Sequence, residues 1–500
     1  MDKMTFAWLA FSAYMLITIW LALRGMKKTT SFASFALGKG DMGPLLVGLT
    51  LSASIASTAT FVINPGFVYQ HGLSAFLHFA VASPLGVILA LIIFSRGFRK
   101  YGKKSSALTL PQWIKERYKS PAMGAYFAVL NLLLSITFVV LIVKGSALVM
   151  QHTLGIGYLP SLFIIVGFVF SYIFLGGTYA HAYTNAFQGF IMIGVALLLV
   201  ASGYEYFGGG LSDMMNRLAA IDANLVKPMN PASPLFSNVW EVLICSFIIS
   251  MGLVCQPHIL MKALYLRSDS DVNRYLTVGT IVNLIFAMIL TVGFFARLRF
   301  GEPISQDAVM AVYISKSFGP ILGVLISVAL LAAGMSTLDG ILVGASTIAA
   351  NDLFLEYAGR HSLKGASVEE KQQWALKVSR YVLVAMGVIS LVVALNPPRL
   401  VGIFAQVGIY GLTAASLVPI AAGIFLREIS SRVVFAAAIV GPLVHFGFYF
   451  YQVHLTSQVF NPAVSASIGI GCSVVVLVAG NWLPQLAGGK APQRARALRG

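Results

Sequence analysis

Runs of about 20 apolar residues recur from one end of this 500-residue chain to the other, and they bound the fold more tightly than any other feature. A helix rises 1.5 Å per residue, so each run is long enough to cross the hydrocarbon core of a bilayer. Thirteen candidate spans follow one another: 4–23, 44–70, 74–95, 122–152, 158–175, 184–206, 238–262, 272–298, 319–350, 376–396, 399–426, 430–451 and 462–484. Only 10% of residues are charged, against about 25% in soluble chains. The expectation is an all-α integral membrane protein of about 13 transmembrane helices, with no stretch polar enough for a separate soluble domain. The run 4–23 is too long for a signal-peptide core and lacks a small-residue cleavage pattern, so it is expected to be a retained helix. Cys245, Cys255 and Cys472 lie in apolar runs without metal-ligand spacing and are expected to be buried free thiols.

The formal charge of +17 could point to a nucleic-acid partner, but the distribution of the charges gives a different answer. With 13 spans and the N-terminus outside, the inner loops and tail hold 26 Lys and Arg, the outer side holds 7, and Lys144 stands inside a span. That asymmetry predicts a multi-pass protein of the cell membrane, of the bacterial inner-membrane kind, with the N-terminus outside and the C-terminus cytoplasmic. It accounts for the net charge with no nucleic acid, and makes anionic lipid headgroups the natural partner of the inner loops. The loop 207–237 is expected outside. The loop 351–374 is expected inside, folding as short helices, and 490–500 is expected to be a basic cytoplasmic tail.

Three spans carry unusual polarity. The second, "GLTLSASIASTATFVINPG", crowds Ser52, Ser54, Ser57, Thr58 and Thr60 into its middle and ends on Asn64, Pro65 and Gly66, which predict a break there. The seventh contains Gln256, Pro257 and His258, and the ninth contains "AAGMST" over 332–337. Lipid cannot satisfy a freed carbonyl, so a broken helix must face protein or a water-filled cavity. The alternative is that small and hydroxyl residues merely let helices pack closely. The second and seventh spans are five apart, the spacing at which inverted-repeat transporters place interrupted helices around a central site. Spans 2–6 and 7–11, about 44–206 and 238–426, would be the repeats, with 4–23, 430–451 and 462–484 as additional helices.

"CQPHILMKAL", "AAGMSTLDGILVGAS", "IFLGGTYAHAYTNAFQG" and "GIYGLTAASLVPIAAGIF", in their order along the chain, resemble the sodium/solute symporter family, which includes proline, pantothenate, monocarboxylate and sugar symporters. The resemblance implies a LeuT-type 5+5 inverted repeat and a sodium ion held between the unwound second helix and the ninth. Matched residue by residue, its ligands would be the carbonyls of Ala53, Ala56 and Ala333 and the hydroxyls of Ser336 and Thr337. An all-oxygen set suits a hard cation.

Against that family's pattern the chain departs in several places. Ile55 stands where the proline permease has an acid, Asn185 where many members have Asp, and Leu338, Asp339, Gly340 and Ile341 follow Thr337 where a second sodium site would need serines. A second sodium site is therefore expected to be lost, and Asn185 and His258 become candidates for the ion route or gate. Ile249 and Leu253 occupy aromatic positions that mark proline recognition, which argues against proline. The candidate solute-binding set is Ser54, Ser57, Thr60, Lys144, Ile249, Leu253 and Gln256. Lys144, in "VVLIVKGSALVM", has three readings: a counter-charge for an anionic solute, a built-in cation, or a side chain reaching the outer headgroups. No nucleophile–base set or phosphate loop stands in a plausible context, so an enzyme is not expected. The expected function is a sodium-coupled secondary active symporter importing a small organic solute, an organic anion such as a monocarboxylate, by alternating access. The alternatives are a proton-coupled or sodium-independent transporter of the same fold, or a membrane sensor working with a separate signalling partner.

Overall fold

The computed structural model describes residues 2–398, 400–486 and 495–496. Among them, ten helices are long and apolar enough to cross a membrane, and two bent pairs bring the number to 12. The shorter apolar helix Tyr158–Phe174 occupies the place of the fifth expected span. The bent pairs are Pro44–Ile55 with Ala59–His71, at 53°, and Trp240–Leu253 with Pro257–Leu264, at 65°. They are the second and seventh spans.

Burial separates the helices into an inner and an outer set. The apolar stretches of Pro320–Ala358 and Val401–Phe425 are 78% and 83% buried, whereas that of Lys3–Met26 is 28% buried. A helix apolar all round and buried all round belongs inside a bundle, and these two, the ninth and eleventh, pack at its centre. The ninth touches the first, second, fourth and sixth spans. The fifth and sixth spans run together over Tyr158–Ala201, turning at Gly177 (φ 54°, ψ −142°). Only glycine adopts that conformation readily, so Gly177 marks the turn between the two spans.

Two expectations about local structure need correction. The second span unwinds at 56–57, not at Asn64, Pro65 and Gly66. Pro65 lies inside the continuous half-helix Ala59–His71, and the π-type turns of Ala59–Ile63 just before it carry the chain past its ring. The ninth helix is unbroken through its hydroxyl motif, over Pro320–Ile348, and continues as Ala349–Ala358, so the first part of the supposed 351–374 loop is a helix end. The short helix Gly359–Ser362 follows, and Val368–Leu395 then begins behind a Ser367–Glu370 capping box. Most of the tail 490–500 lies outside the described residues. Its Ala495–Arg496 pairs antiparallel with Glu428–Ile429, in the turn after the eleventh span.

At the end of the bundle where the basic loops gather, several ties hold the elements together. Arg99 Nε donates to Asp269 Oδ1 at 2.6 Å, Lys103 Nζ reaches the same oxygen at 3.2 Å, and Arg99 Nη1 donates to Ala263 O at 2.6 Å. The bonds from Arg99 and Lys103 hold the Asp269 carboxyl below its ordinary range. Met42 pairs through its backbone with the chain at 265–267.

Candidate sodium and solute sites

The oxygen cluster beside the second-span break follows from the way the backbone unwinds. Ala56 (φ −83°, ψ 84°) leaves the helical conformation. Ser57 N–H then bonds to Ile55 O at 3.1 Å, whereas an uninterrupted helix would send it to Ala53 O. The Ala53 carbonyl instead accepts from Ser336 Oγ at 2.7 Å and Thr337 Oγ1 at 3.4 Å, and Ser54 O accepts from Thr337 Oγ1 at 3.1 Å. Ser336 Oγ also reaches Ala333 O at 2.9 Å. Ala53, Ala333, Ser336 and Thr337 thus meet at one place between the two helices. Ser54 joins them through its carbonyl, and Ala56 forms the break itself. A hydroxyl can turn its hydrogen aside and present a lone pair, so this buried set can receive a hard cation in place of its own hydrogen bonds. Two further hydroxyls of the second span have a plainer role: Thr50 bonds to Leu46 O and Ala182 O, and Ser52 to Gly48 O and Gly279 O, which is helix packing.

Asn185 lies behind the cluster. Its Nδ2 donates to Ser54 Oγ at 3.0 Å and Ser336 O at 2.7 Å, while Oδ1 is buried with no partner among the described residues. It braces the sixth, second and ninth spans at the ion cluster and leaves one oxygen uncommitted.

Between the two breaks lies a cavity of about 150 Å³. Ser54, Ser57 and Thr60 line it from the second span, and Leu253, Gln256 and His258 from the seventh. Gln256 Nε2 also donates to Thr413 Oγ1 at 3.3 Å, which ties the seventh break to the eleventh helix. Two expected solute residues are elsewhere. Ile249 is 1% exposed and is not in the cavity wall; Ser246, Ser250 and Leu253 are. Those three share one face, and Ile249, at the edge of that face, is packed into the core against its neighbours. Lys144 is not in the wall either. Its Nζ donates to Asp307 Oδ2 at 3.0 Å and to Pro398 O at 3.3 Å, so it is neither a free counter-charge nor extended to the headgroups. Asp307 is 163 positions away, in the segment between the eighth and ninth spans. No local pattern reveals such a partner.

Sequence reasoning also passed over a buried chain one turn along the ninth helix from Ser336. Asp339 Oδ1 pairs with His181 Nδ1 at 2.8 Å, and His181 Nε2 with Lys262 Nζ at 2.9 Å. A signal was present: an Asp inside the apolar run "MSTLDGILVG" marks a functional position by the rule for intramembrane charges. Lys262 was hidden because it counts equally well as an inner-loop cation.

Residues 35–441 match the sodium:solute symporter family. The chain belongs to that family. It is 28% identical over 434 residues to the sodium/pantothenate symporter of Haemophilus influenzae, covering 85% of each chain. It is 26% identical over 443 residues to that of Escherichia coli, covering 87% of this chain and 88% of the other. The high-affinity proline transporter of Bacillus subtilis is 26% identical over 378 residues, covering 74% of this chain and 76% of its own. Among solved structures, a Na+-coupled sialic acid symporter in a substrate-bound outward-open state superposes with a TM-score of 0.78 at 15% identity, over 98% of this chain and 100% of that one. A nucleobase-cation-symport-1 family transporter in a closed conformation gives 0.55 at 13% identity, over 90% and 94%. At such identities the likeness concerns the fold, which is the LeuT type. This family member is a multi-pass membrane protein and a sodium-coupled symporter of a small solute, with sodium as the coupling ion, and it is a transporter and not an enzyme.

Proposed function

We propose that this symporter imports a small organic anion of the monocarboxylate type, one sodium ion with each solute, by alternating access about the two broken spans. The observation that carries the reading is the character of the cavity wall. Hydroxyl and amide donors line it, including Ser54, Ser57, Thr60 and Gln256, and among its described lining residues none is Asp, Glu, Lys or Arg. A carboxylate in such a pocket is received by neutral donors, by the N-terminal end of the half-helix Ala59–His71 at Ala59 and Thr60, and by the field of a sodium ion in the adjacent cluster. That arrangement makes ion and solute binding interdependent without a fixed cation, which agrees with Lys144 being engaged by Asp307. The relatives are named for pantothenate and proline, and both of those solutes carry a carboxylate. Ala53, Ala56, Ala333, Ser336 and Thr337 would be the ion's ligands, and Asn185 would steady them. The N-terminus would face outward and the basic loops would lie against anionic headgroups on the inner side.

The test is uptake by the purified protein in proteoliposomes, with labelled short monocarboxylates, pantothenate and proline, with and without an inward sodium gradient. Accumulation of a monocarboxylate that depends on the gradient, and that its carboxamide analogue does not inhibit, is expected. Equal inhibition by the carboxamide would overturn the anion assignment. A reversal potential corresponding to two sodium ions per solute would overturn the coupling ratio.

A further inference from the structure

The final turns of the ninth span carry a carboxylate that neither the sodium cluster nor the solute cavity uses. Asp352 lies in the π-type turns Ala349–Ala358 and is 7% exposed. Its Oδ1 accepts from Asn351 Nδ2 at 3.1 Å, and the same nitrogen donates to Gln112 Oε1 at 3.1 Å. Oδ2 is buried and forms no hydrogen bond to any described residue, the nearby Thr109 hydroxyl included. A buried carboxylate left without a donor or a counter-charge is costly, so the position calls for a positive partner.

Asp352 lines a cavity of about 130 Å³, which has room for about four waters. Gln112 and Lys115 face it from the helix Leu110–Tyr118, Pro121 from the start of the fourth span, and Asn351 and Glu356 from the ninth. Lys115 Nζ pairs with Glu356 Oε2 at 2.9 Å, with the two side chains 26% and 35% exposed. That pair cancels its own charge and leaves the cavity open to water beside it. Asp352 has no ion-pair partner among the described residues, so the cavity carries one net negative charge at its enclosed end. A hard oxygen, a single net charge and space for retained water fit a monovalent cation. A divalent ion would call on the second carboxylate, which Lys115 holds.

We propose that this cavity is a monovalent-cation site distinct from the sodium cluster, with Asp352 Oδ2 as its charged ligand and retained water completing the shell. Ser336 is 16 positions earlier along the ninth span, about 24 Å away at 1.5 Å per residue, so the two sites share no ligand. The helix Leu110–Tyr118 also holds the end of the eleventh span, where Arg117 Nε donates to Gly423 O at 2.7 Å. A cation at Asp352 therefore fastens the ends of the ninth and eleventh spans to one connector, as a resident ion and not a transported one. The cavity lies at the end where the basic loops gather, so it samples the ions on that side of the membrane.

The test is equilibrium binding of 22Na+, and of 86Rb+ in place of potassium, to the purified full-length protein carrying Ser336→Ala and Thr337→Ala, which removes the sodium cluster. One bound cation per chain is expected, and the label held more tightly names the ion. Adding Asp352→Asn, which keeps the size of the side chain, should abolish the binding. No bound cation with either label before Asp352 is changed overturns the proposal, and so does binding that survives Asp352→Asn. Should the triple variant fail to fold, the parent is expected to bind two cations and Asp352→Asn alone one, and equal counts overturn the proposal. The fastening role has its own readout: the melting temperature of the Ser336→Ala/Thr337→Ala variant should rise saturably with the preferred ion at constant ionic strength. A flat response overturns that role.

Discussion

The second and seventh spans break at matching places in the order of the fold, yet they dispose of their freed backbone in different ways. In the second, carbonyls of Ala53 and Ser54 are released sideways and taken up by hydroxyls of the ninth helix. In the seventh, Cys255 N and Gln256 N bond back to Gly252 O and Leu253 O within the turn, and Pro257 starts the next half with no N–H to satisfy. The first break therefore exposes backbone oxygen, which is what a hard cation needs. The second keeps its backbone occupied and offers side chains, Gln256 and His258, to the cavity. The difference teaches that two similarly bent helices can divide the work, one presenting charge-binding groups and the other presenting shape and neutral donors.

The largest test of that division is removal of both ninth-helix hydroxyls. Ser336→Ala with Thr337→Ala should abolish sodium-driven uptake while the protein still inserts and folds, because alanine returns no oxygen to the ion. Unchanged sodium dependence of uptake in the double variant would dissolve the contrast between the breaks. On the other side, Gln256→Ala should raise the half-saturating solute concentration about tenfold, equivalent to about 1.4 kcal/mol, and leave the sodium dependence as it was. A shift in sodium affinity of the same size would mean that the seventh break belongs to the ion site as well.

A smaller effect sharpens the boundary of the ion cluster. Asn185→Asp would place a carboxylate where Nδ2 now meets Ser54 Oγ and Ser336 O. The half-saturating sodium concentration for uptake should fall by about threefold to tenfold, since an opposite charge at such range stabilises the bound cation. The smallest effect on binding is expected at Lys144. Because it is already paired with Asp307, Lys144→Met should leave solute affinity within about twofold of the parent. Its cost should appear as a lowered melting temperature, as Asp307 loses its partner, and Lys144→Met/Asp307→Asn should recover it. A tenfold loss of affinity in Lys144→Met would return this residue to the solute site.

Legibility differed between the membrane architecture and the site. Span number and order were readable because hydrophobic length is a local property. The gap between the second and seventh spans was readable because proline and hydroxyl clusters are local too. The position of the second break was misread. Pro65 looks like the interruption in one dimension, but π-type turns before it carry the chain past its ring, and the unwinding occurs where Ser336 and Thr337 can donate to the freed carbonyls. Ile249 was misread as well: whether a residue at the edge of the seventh helix's cavity face reaches the cavity depends on the third and eleventh spans packed against it. Lys144 and Lys262 show the limit most clearly. The sequence presents one as a lone intramembrane charge and the other as a loop residue, whereas one meets Asp307 across 163 positions and the other meets His181 across 81.

What the sequence by itself determined is the solvent the chain lives in, the order of its spans, its family, and the oxygen-bearing residue types at the cluster we propose for sodium. These follow from length, hydropathy and short motifs, each contained within a few turns of helix. Only the tertiary structure decided which carbonyls those hydroxyls meet, which hydroxyls serve packing instead, and which charges are already paired. A buried charge is stable only beside its partner, and partners here come from helices far apart in the chain, so their identity is a property of the packed bundle.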